Sequence, residues 1–203
     1  MRSTLVIASV TAILKSLLEN GLVDRGVTAS IGSDAIVSAL PPDRIDVGAD
    51  ERAQLNLFLH QVTPNTALRS ASRLALDGDE KRPATSQLAL DLHYLLTAYG
   101  AQDFQIEILL GYAIQRMHRT PTLKRDAIRA SLTALSSADH GNVLPPTLAA
   151  MAASNLADQV EQIAISPQFL NGDEMSKIWS ALQARYRPSV AYKVSMVLIE
   201  ESS

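Results

Sequence analysis

Two histidines and one aspartate are the side chains in this sequence best placed to do chemistry. His60 lies in LNLFLHQV and His93 in LALDLHYL, two strongly patterned apolar stretches, and Asp91 precedes His93 by two residues. If both stretches are strands and pair, the three groups converge on one sheet face, as a metal site or an acid–base pair would. The plainer reading is favoured. Residues on one face of a strand align by default, so polar groups on a sheet's less apolar side come together without any catalytic purpose. His118 and His140 fall in a helix end and a loop and lack ligand-like spacing. There is no cysteine, which excludes disulfides, thiolate metal sites and thiol nucleophiles. No Gly-x-Ser-x-Gly elbow presents a serine, and the nine glycines are scattered rather than gathered into a phosphate or dinucleotide loop. The expectation is a protein without a cofactor or metal, and no enzyme. A small α+β hydrolase built on His60, His93 and Asp91 is the alternative.

A second constellation is basic. Arg116, Arg119, Lys124, Arg125 and Arg129 fall within one helix–turn–helix junction. A nucleic-acid patch would interleave aromatic residues for stacking, and none are present. With 18 basic and 21 acidic residues the net charge is −3, which gives no reason to expect nucleic acid as a partner. The cluster is either a solvated helix end, where cations are favourable, or a docking face for an acidic protein neighbour. Arg69, in NTALR, follows the first strong strand and Lys193 lies in the last one. A guanidinium can fork onto a carboxylate or onto carbonyls, so Arg69 reads first as a brace for a turn and second as a subunit contact.

The elements that position these groups follow from periodicity. In DEMSKIWSALQARYRPSVAYKVSMVLI, Met175, Ile178, Trp179 and Leu182 recur at helical spacing, with Asp173 as N-cap or first-turn acid. Pro188 stops that helix, and the period then changes to two. Val190, Tyr192, Val194, Met196 and Leu198 take one face of a final strand, and Ala191, Lys193, Ser195, Val197 and Ile199 the other. Arg52–Val62 reads as a strong strand, with Leu55, Leu57 and Leu59 facing one way and Asn56, Phe58, His60 and Val62 the other. Gln87–Thr97 reads as a second, with Leu88, Leu90, Leu92, Tyr94 and Leu96 aligned. Residues 70–85 form the most loop-like stretch. Asp103 is expected to cap a helix reaching about Met117, Pro121 ends it, and further helices are expected over Asp126–Leu135 and about Pro146–Asp158. Val160–Ile165 is a third strand. Val27–Ile31 and Ala35–Leu40 read as a small hairpin around Gly32-Ser33-Asp34.

The opening LVIASVTAIL resembles a short signal peptide, but Lys15 interrupts it and the helical stripe Val6, Val10, Ile13, Leu14, Leu17 runs on. It reads as an amphipathic helix capped by Ser3 or Thr4 and stopped by Gly21. No stretch approaches the roughly 20 apolar residues of a spanning helix. At 203 residues, 47% hydrophobic and 4% aromatic, the chain is expected to be one domain, 1–203, with an aliphatic core. Strands clustered before and after a helical middle predict an α+β layer fold, a mostly antiparallel sheet covered by helices.

Three blocks, LNLFLHQVTPNTALR (Leu55–Arg69), LALDLHYLLTAYG (Leu88–Gly100) and IWSALQARYRPSVAYKV (Ile178–Val194), carry a closer likeness. In this order they resemble the N-terminal domain of the tail-terminator, or cap, proteins of phage-tail-like contractile injection systems. The resemblance covers nearly the whole chain, and no block holds a catalytic signature. It implies a structural subunit that ends tube polymerisation and anchors the last sheath layer, in a six-fold ring of its own copies. The implied partners are the inner-tube and sheath proteins, with no nucleic acid and no membrane insertion. Assembly is expected in the cytoplasm, on a particle that is released or anchored. Arg69 and Lys193 fall at positions shared with that family, and they join the five basic residues as candidate interface groups. A free-standing monomeric adaptor is a further alternative.

Overall fold

In the computed structural model the described residues are 5–22, 30–66, 87–137, 156–159 and 162–200. The chain forms helix α1 (Val6–Leu22), strand β1 (Ile36–Ser38), a 3-10 turn (Pro42–Arg44), β2 (Gln54–Pro64) and β3 (Gln87–Tyr99). Helix α2 (Gln105–Arg119), β4 (Thr122–Lys124), α3 (Arg125–Ser137), a short α4 (Leu156–Gln159), β5 (Gln162–Gln168), α5 (Gly172–Ala181) and β6 (Ser189–Glu200) follow. The six strands make one sheet in the order β1-β2-β3-β6-β5-β4. Every pairing is antiparallel except that of β1 with β2. The expected α+β layer architecture is therefore present.

Period-2 patterning decides which face is apolar. Leu55, Leu57, Leu92, Tyr94, Leu96 and Val194 are all fully buried and belong to one cluster with side chains of α1 to α4. Helix α1 supplies Val6, Val10, Ile13, Leu14 and Leu18, each at most 1% exposed. Burying such side chains stabilises by roughly 1.5–3 kcal/mol each, which is why the stripe, more than helix propensity, holds α1 on the sheet. A hydroxyl pair, Thr11 to Tyr94 at 2.8 Å, crosses this packing and satisfies a phenol whose pKa burial pushes well up. Leu95, Tyr99, Ala191 and Trp179 are also buried, but outside that cluster, so the central strands are covered on part of their second face too.

Several local expectations change. Gly21 does not stop α1, which continues to Leu22. A Cβ at Gly21 would collide with the Tyr112 hydroxyl, which donates to the Leu18 carbonyl at 2.7 Å, so the glycine serves a close approach. The second strand of the expected hairpin is present, as β1 within Ala35–Leu40, but it pairs in parallel with β2, and Ser30–Ile31 of the expected first strand are helical. Gly32, with φ +67°, makes the turn between them. Asp103 does not cap α2; the N-cap is Phe104, at φ 67°, with no side-chain cap. Asp173 lies inside the first turn of α5, whose N-cap is Asn171. Asn171 and Glu174 form a reciprocal capping box, with both bonds at 2.9 Å. Strand β4, after Pro121, had no periodic signal at only three residues. The loop expected at 70–85, Ser3, Thr4, Val27, and most of the alanine-rich helix expected over Pro146–Asp158 lie outside the described residues.

Two bulges re-sort the strand faces. In β2, Leu59 pairs with Tyr94 but Gln61 pairs with His93, which leaves His60 as an extra residue. Val62 then stands opposite Leu92 on the helix-covered side, not beside His60. In β6, Val194 pairs with Leu92 but Val197 pairs with Leu90, so an extra residue lies at Ser195–Met196. Val197 consequently joins the main core, on the opposite side from the one its alternation implied.

Candidate functional site

The bulge in β2 gathers the two histidines. With His60 displaced from the ladder, its ring centroid sits 6.2 Å from that of His93 at an interplanar angle of 59°. His93 is 8% exposed, with Nε2 2.9 Å from the Thr63 hydroxyl and Nδ1 2.8 Å from Gln168 Oε1. Since an amide oxygen only accepts, Nδ1 donates to Gln168. His60 Nε2 is buried without a partner, and burial first, then the neighbouring His93, lowers its pKa. The expected convergence of the histidines is present, but Asp91 does not join it. Asp91 Oδ1 accepts from Asn65 Nδ2 at 2.8 Å, and Oδ2 lies 3.8 Å from Lys193 Nζ. A base that activates a nucleophile needs a third group to orient it, and here an amide and a hydroxyl occupy both nitrogens of His93. No group of three metal-ligating side chains exists among the described residues. The arrangement holds β2, β3, β5 and β6 together through polar bonds on the second face.

The basic residues surround the β4 edge. Arg119 closes α2, Lys124 closes β4, Arg125 opens α3 and Arg129 lies one turn further, all exposed. Arg129 is 3.9 Å from Asp126, an exposed i,i+3 pair that contributes little. Arg116 has a different task, donating from Nε to the Leu17 carbonyl at 3.1 Å and so tying α2 to α1. Arg69 lies outside the described residues. Lys193 stands opposite His93 in the β3–β6 register, on the face that holds Asp91.

Sequence reasoning missed the opposite end of the sheet, where β3 and β5 finish and β2 and β6 begin. Glu51 is buried there, its side chain 4% exposed. Oε2 accepts from Arg187 Nη2 at 2.7 Å and Oε1 from the Gly100 amide at 2.9 Å. These residues are far apart in sequence and carry no spacing signal. Burial pushes the Tyr99 phenol up to about 12, with Arg187 opposing and Glu51 reinforcing the shift. Tyr99 Oη, Trp179 Nε1 and Arg187 Nε are buried donors without partners. Trp179 packs edge-on against Tyr186 at 5.7 Å between centroids. In the connections of this end, Phe169 is 89% exposed, Phe104 72% and Tyr186 60%. Three large aromatic side chains are thus held in water in the connections at this end of the sheet.

Beside β1 lies an open groove of about 1080 Å³, bounded by α1 at Lys15 and Glu19 and by the segment from Arg44 to Gln54. The edge strand itself forms part of its lining.

Comparison with known proteins gives a family and a fold. No curated protein matches. Among solved structures, the sheath/tube terminator of PVC, an extracellular contractile injection system, in the extended state, aligns over 92% of this chain and 56% of its own at 14% identity, with a TM-score of 0.49. The tube-terminating cap of the anti-feeding prophage aligns over 91% of this chain and 54% of its own at 14% identity, with a TM-score of 0.50. The chain thus spans about half the length of the structures it matches. The family model described as the Pvc16 N-terminal domain matches residues 9–203. This is the family that the three sequence blocks resemble, and the chain belongs to it.

Proposed function

We propose that the chain is a structural subunit of a tail terminator: a cap that ends the inner tube of a contractile injection particle and holds the final sheath layer. The family match over residues 9–203 carries this reading. The fold supports it, being shared with a solved tube-terminating cap. A terminator meets its own copies, the tube protein and the sheath protein at once. The described surface offers separate faces for such contacts: the aromatic end, the basic β4 edge and the polar face around Lys193. A closed six-fold ring is the assembly that the resemblance implies. Of the candidate interface residues, Arg119, Lys124, Arg125 and Arg129 are exposed for a neighbour, Lys193 is partly so, and Arg116 is engaged internally. Arg69 completes the proposed set. Nucleic acid is not a proposed partner, and no helix among the described residues is long and apolar enough to cross a membrane. Assembly is proposed to occur in the cytoplasm, before the particle is released or anchored.

The hydrolase reading is not favoured, because Asp91 is bonded to Asn65 and faces Lys193 while both ring nitrogens of His93 are engaged. Electron microscopy of particles from cells lacking the gene tests the terminator. Over-long or sheath-less tubes are expected; particles of normal length with full sheath would overturn it.

A further inference from the structure

We propose that the open edge of β1 receives an extended segment of a non-identical neighbouring subunit, added to the sheet as a further strand. The inference rests on the reading that this chain works inside a multi-protein particle. The backbone pattern is its foundation. The Ile36 amide donates to the Ala53 carbonyl at 3.2 Å, with Ile36 in register with Gln54 in a parallel ladder. Residues 36 and 38 therefore direct their peptide groups at β2, and Val37 directs its N–H and C=O away from it.

Asn56 prolongs this alternation beyond the strand. Its side chain accepts from the Leu40 amide at 3.0 Å and donates to the Leu40 carbonyl at 2.9 Å. Positions 36, 38 and 40 are thus all tied to β2, and 37 and 39 present two peptide units outward. Two outward peptide units in register are the template for strand addition.

The two edges of the sheet are not treated alike. Strand β4 is preceded by Pro121 and ends in Lys124, the two residue types that blunt an edge against unwanted pairing. Strand β1, Ile-Val-Ser, contains neither. Its edge faces a groove larger than the usual small-molecule pocket, with Val37, Leu40, Ile45 and Val47 among its walls. Leu40 is 44% exposed there. The lining charges cancel: Lys15 pairs with Glu19 at 2.6 Å, Glu51 with Arg187, and Arg44 and Arg52 offset Asp46 and Asp50. The occupant that fits is an extended, uncharged segment with apolar side chains at alternate positions. Pairing with the far edge of a second copy fits poorly, because that edge is the guarded β4.

The absence of cysteine makes the test clean. Asp46→Cys, on the lip of the groove, carries a short photo-crosslinker in assembled particles, with Asp126→Cys at the opposite edge as control. Mass spectrometry is expected to find one segment of a different particle protein joined to position 46, while position 126, on the basic face proposed to meet a neighbour, is expected to capture a different segment or none. Leu40→Asp, which places a charge in the groove without touching the core, is expected to cut that yield about tenfold at unchanged melting temperature. Cross-links to this chain or to another copy, no cross-link from particles that contain the chain, or a yield indifferent to Leu40→Asp would overturn the inference. A chain missing from purified particles would instead overturn the terminator reading beneath it.

Discussion

The Asn56 side chain occupies both backbone groups of Leu40, standing in for the stretch of β2 that would otherwise pair there. Its Oδ1 also accepts from the Ser38 hydroxyl at 2.7 Å, and Ser38 Oγ in turn accepts from Gln54 Nε2 at 2.5 Å. Asn56 is fully buried, so its deletion strands several polar groups away from water. Asn56→Ala is expected to cost about 1–3 kcal/mol. Urea unfolding at neutral pH measures this, and a midpoint equal to the parent's would show that Leu40 finds other partners at no cost.

Acid should weaken the fold through His60. Its pKa is lowered in the folded state, so the unfolded chain binds the proton more readily. The contribution is complete above the ordinary histidine value of about 6.5 and is lost as pH falls from there through the lowered folded-state value. His93, the titratable side chain beside its ring, is unchanged in a His60→Gln variant. That variant is expected to lose less stability than the parent between pH 7.5 and 5. Parallel urea midpoints at the two pH values decide the matter, and equal losses would remove His60 as the cause.

Arg187 should matter more than its own partly exposed position suggests. Removing it leaves the Glu51 carboxylate buried with only the Gly100 amide to hold it. Arg187→Met is expected to cost about 3 kcal/mol, and Glu51→Gln less, because an amide tolerates burial better than a lone carboxylate. The double variant should recover part of the loss, which a double-mutant cycle on thermal unfolding reads directly.

At Gly21 the ordinary helix rule should reverse. Alanine is favoured over glycine in a helix interior by about 1 kcal/mol. Here the new methyl displaces the Tyr112 hydroxyl from the Leu18 carbonyl. Gly21→Ala is expected to destabilise by about 1 kcal/mol, a net result of propensity against overpacking. In a Tyr112→Phe background the same change should be close to neutral, and an equal cost in both backgrounds would rule out the hydroxyl as the obstacle.

Periodicity revealed the long elements because each buries a whole face: β2, β3, β6, α1 and α2 lie where alternating or helical stripes put them. It failed where one residue breaks the count. The bulges at His60 and at Ser195–Met196 sent Val62 and Val197 to the helix-covered side, and nothing in the alternation signals an inserted residue. The three-residue edge strand β4 was equally silent, being too short to show a period, whereas β1 lies within the strand expected over Ala35–Leu40. At the candidate site, the nearness of His60 and His93 was legible from their matching strands. The role of Asp91 was not, because its partners Asn65 and Lys193 come from separate elements. The Glu51–Arg187 pair joins residues 136 positions apart, beyond any spacing argument.

The strand order also sets a timetable for the chain. β3 is flanked by β2 and β6, and β6 begins only at Ser189. The middle of the sheet therefore stays half-formed on the ribosome until the segment that begins at Ser189 has emerged. Such long-range closure makes for slow folding. Chains halted before Ser189 should be readily digested by protease, while chains reaching Glu200 resist. A chain that lacks β6 is thereby open to proteolysis from the moment it is made.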